Sequence, residues 1–411
     1  MTEGLLARQA ALALLMGVLG DRQPLSDLSE GPILAKLPAA ERARAQRLAL
    51  TTLRQIEPTD RLLQTHLKRE PPLLALNILR LAVTELQGGA AAHGVVNAAV
   101  EMVRKGQHVS ALAGMVNAVL RKVPVGVELT GAVQKMPRWL RQPLVHAWGR
   151  DVVSAIEGVQ AKAPPLDLTV RGAHPDGVVL PTGSVRVQGA GQVSTLPGFA
   201  EGAWWVQDAA AAMAVPMLGD VRGQRVLDLC AAPGGKTMQL AAAGAAVTAL
   251  DISGPRMGRV RENLARTGLS AELVVADALH WQPEALFDAI LLDAPCSATG
   301  TIRRHPDLQY IKDGSELGPL VALQAQMIDR ALGFLKPGGR MVYCTCSLLP
   351  DEGEAQLAAA LARHPGLSVV QTAVPGVPQA WFMPEGGLRL RPDYLAESGG
   401  MDGFFMVCVT K

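Results

Sequence analysis

The stretch Val226-Leu-Asp-Leu-Cys-Ala-Ala-Pro-Gly-Gly-Lys-Thr237 decides the fold. An apolar run of strand length carries Asp228 near its end, a turn with two adjacent glycines follows, and a helix is expected to begin near Thr237. Glycines lack Cβ, so a ligand can press against backbone N–H groups at the start of that helix. Gly235-Lys236-Thr237 matches the end of a phosphate-binding loop, but the loop's first glycine would fall at Cys230, and a dinucleotide G-x-G-x-x-G is also absent. What remains is a nucleoside-type ligand with no pyrophosphate to cradle.

Working downstream, apolar runs at Arg225–Leu229, Ala246–Leu250, Leu273–Val275, Ala289–Leu292 and Arg340–Cys344 alternate with helical windows. That rhythm predicts an α/β, Rossmann-like domain with a parallel sheet and crossover helices. Ligands of such sheets bind at the carboxyl ends of strands, where Asp228, Asp251, Asp277, Asp293 and Thr345-Cys346 fall. Asp251, about 20 positions after the glycine turn, suits ribose hydroxyls. Asp277, ending the third strand, is placed where an adenine amino group would be read. A single carboxylate at a strand end is more often a helix cap. Three in register after one glycine turn favour a nucleoside site.

Upstream the pattern changes. From Leu5 to Val123 apolar residues recur every three or four positions, with breaks at Gly20, Pro58, Pro71-Pro72 and Gly88-Gly89, which predicts an all-α bundle. Pro124 to about Gln134 is expected as linker and Arg138 to Lys162 as one amphipathic helix. Short β-like pieces follow at Val170, Val178–Leu180 and Val185–Val187. The domains expected are 1–135, 136–205 and 206–411.

Charge separates the same regions: residues 1–150 hold 19 Lys and Arg against 11 Asp and Glu, while the rest of the chain is net acidic. A basic helical region favours a polyanion partner, although a merely solvated basic surface fits the charge equally well. Arg42, Arg44, Arg47 and Arg54 cluster in it.

Composition excludes several classes. With 411 residues, 49% of them hydrophobic, the chain is neither fibrous nor disordered, and it does not need disulfide staples. No apolar run approaches the roughly 18 residues of a spanning helix, so no membrane partner is expected. Ala10–Leu19 imitates a signal segment only faintly, because Glu3 precedes it and no small-residue cleavage site follows. Five cysteines (230, 296, 344, 346, 408) cannot all pair and show neither CxxC nor His-partnered spacing, which argues against a disulfide framework and against zinc, so no metal is expected, and fits a reducing cytoplasm.

Two segments carry thiols to the rim where the strand-end carboxylates lie: Leu292-Asp-Ala-Pro-Cys-Ser-Ala-Thr-Gly-Thr301 and Tyr343-Cys-Thr-Cys-Ser-Leu-Leu-Pro-Asp-Glu-Gly-Glu354. An isolated cysteine is usually a small buried hydrophobe, and that reading is kept for Cys230, Cys344 and Cys408. Asp293-Ala-Pro-Cys296 and Thr345-Cys346-Ser347, together with the turn at 230–236, resemble the RNA cytosine-C5 methyltransferases of the RsmB/Nop (Sun) family. The resemblance extends through Gln207-Asp208, Gly300-Thr-Ile-Arg-Arg-His-Pro-Asp307, Leu335-Lys-Pro-Gly-Gly339 and Asp402-Gly-Phe-Phe405, covering most of 138–411. The bundle is similar to the RNA-binding NusB domain through Ala92-His-Gly-Val-Val-Asn-Ala-Ala-Val-Glu101 and Gly114-Met-Val-Asn-Ala-Val-Leu-Arg121. The one departure is Arg391-Pro392-Asp393 followed by an insert over Tyr394–Met401, where the family carries Pro-His.

The resemblance implies 16S ribosomal RNA as substrate and S-adenosylmethionine as cofactor. It places the cofactor at Cys230, Ala231, Ala232, Pro233, Gly234, Gly235, Lys236, Asp251, Asp277 and Asp293. It makes Cys346 the nucleophile, with Cys296 aiding product release. Arg256 joins the cofactor candidates, and Arg303, Arg304 and His305 are candidates for phosphate contacts, with a solvated charged loop the equal alternative for each. A cytoplasmic monomer without DNA is expected.

The chemistry asks for these groups independently. Cytosine C5 is too weak a nucleophile to attack a methyl sulfonium until a thiolate adds at C6. Charge developing at N3 needs a proton or hydrogen bond, which a carboxyl such as Asp293 supplies. A base, Cys296 or a water, then removes the C5 proton.

An RNA-binding ribosome-assembly factor with an inert methyltransferase domain, or an enzyme acting on tRNA, are the alternatives. The intact Asp293, Cys296 and Cys346 set favours the rRNA enzyme. A DNA cytosine methyltransferase is set aside, since its Glu-Asn-Val is matched only by Glu262-Asn263-Leu264 in a helical stretch.

Overall fold

The computed structural model describes residues 4–127, 129, 133–189 and 191–411. The linker expected over 124–134 lies partly outside the described residues, as does Glu3. The chain forms two compact units, Met1–Ala163 with Ile302–Asp313, and Pro164–Thr301 with Gly314–Lys411. Among the described residues no helix is long and apolar enough to cross a membrane.

The first unit is helical: α1 (Leu5–Leu19), α2 (Leu25–Glu30), α3 (Pro32–Ala35), α4 (Ala39–Arg54), α5 (Ile56–Gln64), α6 (Leu73–Gln87), α7 (Ala92–Lys105), α8 (Ala113–Leu120), α9 (Arg138–Trp148) and α10 (Arg150–Gln160). Leucine, alanine and valine from α1, α4, α6 and α7 fill its core, among them Leu14, Leu53, Leu79 and Val103. Two of the expected boundaries differ. Pro58 does not break a helix: it lies in the first turn of α5, where its missing N–H has no intrahelical partner to lose, and the break falls at Gln55. The single helix expected over 138–162 is two helices, because Gly149 adopts φ +85°, ψ 165° between α9 and α10.

The second unit opens with an antiparallel sheet of β1 (Leu166–Val170), β2 (Val178–Val179), β3 (Val185–Val187) and β4 (Trp204–Val206) in the order β2-β3-β1-β4. Arg186 and Asp167 form a bidentate pair within it, 2.7 Å at each end and buried. There follow α11 (Ala209–Ala212), β5 (Arg225–Leu229), α12 (Gly235–Ala242), β6 (Ala246–Asp251), α13 (Gly254–Thr267), β7 (Glu272–Val275) and β8 (Phe287–Asp293). After the excursion through α14 (Leu308–Ile311) in the first unit come α15 (Leu317–Phe334), β9 (Leu335–Thr345), α16 (Glu354–Arg363), β10 (Ser368–Val369), β11 (Leu388–Leu390) and β12 (Phe404–Thr410).

The large sheet runs β10-β12-β9-β8-β5-β6-β7, with β11 also paired to β12. Strands β5 to β9 are mutually parallel, as the alternation predicts, whereas β12 pairs antiparallel with β9, so the sheet is mixed. Side chains alternate across it. Leu227, Leu229, Ile290, Leu292, Tyr343, Phe405 and Val407 pack under α15 and α16, while Val226, Ala289, Leu291, Val342, Phe404 and Met406 pack on the other face with Leu240 of α12. Burial on both faces explains the continuous apolar runs.

The segment 302–313 is stitched into the helical unit. Arg54 Nη2 donates to the Arg303 carbonyl at 2.9 Å, Tyr310 Oη to the Leu53 carbonyl at 2.7 Å, Leu25 N–H to Asp307 Oδ2 at 2.9 Å and Trp139 Nε1 to the Lys312 carbonyl at 3.1 Å. Arg303 is therefore a buried residue of that unit rather than a free phosphate contact, while Arg304 is half-buried and His305 exposed.

Candidate active site

Strand β5 delivers Leu229 to a turn with left-handed backbone at Cys230, φ +63°, and at Gly234, φ +101°, and a cis peptide between Ala232 and Pro233. A Cβ at Gly234 would lie 3.1 Å from a Val260 methyl, and its left-handed φ disfavours any side chain, so glycine is required there. The turn is pinned from both sides. Ala231 N–H donates to the Leu250 carbonyl at 3.1 Å, and Ala232 N–H to Asp251 Oδ2 at 3.2 Å. Arg256 Nη2 donates to the Ala232 carbonyl at 2.6 Å and Asn263 Nδ2 to the Pro233 carbonyl at 3.2 Å. Asn263 entered the sequence reading only within Glu262-Asn263-Leu264, the motif set aside; its hold on the turn leaves no spacing to read.

Asp251 uses its two oxygens on Ala232 N–H and, at 2.9 Å, Ser253 N–H, with Arg256 Nη1 3.5 Å away. A carboxylate has about four acceptor positions, so capacity remains for ribose hydroxyls. Asp277 lies beyond the end of β7, accepts from Leu279 N–H at 2.9 Å and meets His280 Nδ1 at 2.8 Å. Those two bonds hold its carboxyl below the ordinary range. Between them, Ile252 and Val275 are left exposed, 69% and 55%, an apolar wall beside the acidic strand ends. Sequence reading passed over both, since each looks like ordinary strand material.

Under the turn, Lys236 and Asp293 form a pair at 2.8 Å, and the Lys236 ammonium lies 5.3 Å from the Phe404 ring centroid. Burial opposes the Lys236 charge, but Asp293 and other nearby acidic groups outweigh it, so the ammonium persists above its usual range. Asp228 is fully buried; Thr237 Oγ1 donates to its Oδ2 at 2.6 Å, while Oδ1 has no partner. Burial pushes its pKa up to about 7 against the opposing pull of Thr237 and Lys236. An unpartnered buried acceptor, a carboxylate with free lone pairs, backbone held open by glycine and an exposed apolar wall together fit a cationic nucleoside donor.

The thiols converge at the adjacent strand ends. Asp293 of β8 pairs in register with Cys344 of β9, and Ala294 N–H donates to the Cys344 carbonyl at 2.9 Å. Three residues beyond Asp293 and two beyond Cys344, the sulfurs of Cys296 and Cys346 stand 3.4 Å apart, both half-buried. The bond to Cys346 together with burial raises the Cys296 thiol well above its ordinary value. Cys344 is buried with its Sγ 3.6 Å from Asp293 Oδ1, and burial raises its pKa. Cys230 is also pushed up by burial, while Cys408 lies in the core. All five cysteines are free thiols, and no group of three or more metal-binding side chains occurs among the described residues.

The motifs that close the chain brace this rim. Gly300 N–H donates to the Cys346 carbonyl and Gly403 N–H to the Gly300 carbonyl, both at 2.9 Å. A Cβ on Gly300 would stand 2.0 Å from the Gly403 oxygen. Asp402 N–H donates to Asp208 Oδ1 at 3.0 Å, tying Gln207-Asp208 to the same corner. Glu352 and Arg389, neither singled out in the sequence, sit behind the thiol loops: Arg389 Nη1 donates to the Ser347 carbonyl at 2.6 Å.

A family profile described as 16S rRNA methyltransferase RsmB/F matches residues 215–409, and one for the NusB family matches 5–124. The chain is 34% identical to the ribosomal RNA small subunit methyltransferase B of Klebsiella pneumoniae subsp. pneumoniae over 416 aligned residues, 92% of each protein. Among solved structures it resembles PH0851 with a TM-score of 0.74 at 21% identity, over 98% of this chain and 99% of that one. A methyltransferase homologue from Pyrococcus horikoshii gives a TM-score of 0.54 at 26% identity, over 66% and 93% respectively.

Proposed function

The chain belongs to the RsmB/F family of 16S rRNA methyltransferases, and from that premise we propose that it methylates C5 of a cytosine in small-subunit ribosomal RNA through a covalent Cys346 intermediate. S-adenosylmethionine is its methyl donor; bound, it supplies a methyl group on a positively charged sulfur. The residues of the turn at 230–236 would hold it, with Asp251 at the ribose, Arg256 fixing the turn, and Asp277 and the Ile252–Val275 wall at the base.

The observation that carries the reading is the pair of sulfurs 3.4 Å apart at the end of β8 and β9, next to the Lys236–Asp293 pair. The Cys346 thiolate adds to cytosine C6, and the electron pair of the C5–C6 double bond moves toward N3. The Lys236–Asp293 pair delivers a proton there, leaving an enamine nucleophilic at C5. After C5 gains the methyl group, Cys296, its own proton first passed to solvent, takes the C5 proton as a thiolate. The C6–sulfur bond breaks, the ring double bond re-forms, Cys346 leaves as thiolate and the N3 proton returns to the Lys236–Asp293 pair. A thiol with a raised pKa is a strong base once ionised and is held protonated otherwise, which suits Cys296 to release rather than to attack.

The helical unit, with its basic excess, and the segment 136–205 dock the RNA, and the target base is presented unstacked. On small-subunit rRNA labelled with tritium at cytosine C5, each methyl group incorporated is expected to release one tritium. Methyl incorporation without tritium release would refute C5 as the acceptor.

A further inference from the structure

Cys296 and Cys346 are each followed by a serine, and those two serines form a second pair beside the sulfurs. The Ser297 and Ser347 hydroxyls lie 3.1 Å apart, with Thr299 Oγ1 3.3 Å from one and 3.2 Å from the other. Leu349 N–H donates to Ser347 Oγ at 3.0 Å and Leu348 N–H to Thr299 Oγ1 at 2.9 Å. The chain of hydroxyls ends at Glu352, which is completely buried. Its carboxylate accepts from Ser297 N–H at 2.8 Å, from the Ser297 hydroxyl, and from Gln324 Nε2 at 2.9 Å. Gln324 Nε2 is itself 2.9 Å from the Pro295 carbonyl, so the Pro295-Cys296-Ser297 segment is gripped on both flanks of its thiol.

A fully buried carboxylate is an expensive way to fill space. Three hydrogen bonds offset part of its desolvation, yet an apolar side chain of similar volume would serve stability at least as well. What an apolar residue cannot do is grip one thiol loop through a backbone N–H and reach the other through a hydroxyl bridge. We propose that Glu352 is a positioning residue for methyl transfer: anchored on Ser297 and, through its hydroxyl, on Ser347, it holds the two Cys-Ser dipeptides so that the Cys296 and Cys346 sulfurs face each other.

The inference rests on the thiol chemistry proposed above and adds a residue that never touches the base. The negative charge of Glu352 acts on Cys296 in the same direction as its hydrogen bond to Cys346 and its burial, keeping that thiol protonated until its turn.

Two substitutions in the full chain separate charge from geometry. Glu352→Gln keeps the shape and removes the charge, so iodoacetamide labelling of Cys296, read by mass spectrometry against pH, is expected to move to lower pH. Ser347→Ala removes the direct hydroxyl bridge, keeping only the longer path through Thr299, and leaves the charge, so the labelling profile stays while kcat for methyl transfer falls. A reacting atom displaced by about 1 Å costs on the order of 100-fold in rate, and KM for RNA is expected to hold. An unmoved labelling profile in Glu352→Gln together with wild-type kcat in Ser347→Ala overturns the proposal, as does a loss of kcat accompanied by an equal rise in KM. Labelling needs no RNA, so a wild-type protein that never bonds covalently to RNA would refute the proposed reaction while labelling still decides whether Glu352 governs the thiols.

Discussion

Replacing Asp228 by Asn removes a titration that the fold makes unusual. The carboxyl is fully buried with one unpartnered oxygen, and burial carries its pKa from an ordinary 3.8 to about 7. The folded value lies above the unfolded one, so the folded chain holds this proton more tightly. The associated stability is complete below the unfolded value and is lost as pH rises through about 7. At pH 5 the folded carboxyl is protonated and the unfolded one ionised; at pH 8 both are ionised. Linkage between those limits gives a loss of about 2–3 kcal/mol from this one group. The Asn variant is neutral throughout and keeps an acceptor for Thr237. Its unfolding free energy relative to the natural chain should rise by about 2–3 kcal/mol from pH 5 to pH 8. Urea unfolding of both proteins at intervals across that range measures the difference directly. A difference that stays level with pH would refute the reasoning and place Asp228 in ordinary ionised form.

Lys236→Met should destabilise the fold by about 1–3 kcal/mol, because the half-exposed Asp293 loses its charged hydrogen-bond partner; thermal unfolding reports the loss, and equilibrium dialysis should show weakened donor binding. Gly300→Ala places a methyl 2.0 Å from the Gly403 oxygen and 2.9 Å from the Cys346 oxygen. Overpacking of that kind costs about 1–3 kcal/mol, and because backbone must move to relieve it, methyl transfer should fall more than stability does. Arg42 and Arg47 are the exposed members of the arginine cluster on α4. If they meet phosphates, replacing both with Ala should lower the slope of log binding constant against log salt by about 1.4–1.8, measured by filter binding of RNA across a salt series.

The parallel part of the large sheet was legible because Leu227, Ile290 and Val342 belong to runs apolar on both faces. The glycine turn was legible because its residues have few other uses. Strand β12 was not read as a strand although Phe404–Val409 is apolar throughout, since a run of that length at the end of a chain carries no period and no following helix to define it. The helix break at Gly149 was missed because amphipathic spacing continues across it; only the backbone angle reveals the turn. The arginine cluster divides in a way composition cannot anticipate: Arg44 pairs with Glu85, Arg54 is buried against the Arg303 carbonyl, and only the other two face solvent. Arg303 itself was misplaced for a related reason. Its neighbourhood is built by residues some 250 positions away, such as Leu53 and Arg54, and local charge says nothing about so distant a partner. In the site, cysteines and strand-end aspartates announce themselves by chemistry, whereas Glu352 and Arg389 work through backbone atoms of other residues and leave no spacing to read.

The most direct test of the central claim is to map the RNA–protein bond. The Cys296→Ala chain, incubated with unmodified small-subunit rRNA and S-adenosylmethionine, then digested with nuclease and protease, is expected to yield a methylated cytidine adduct on the peptide containing Cys346, and Cys346→Ala is expected to yield none. An adduct on Cys296 in the Cys346→Ala chain, or methyl transfer undiminished by that substitution, would contradict it.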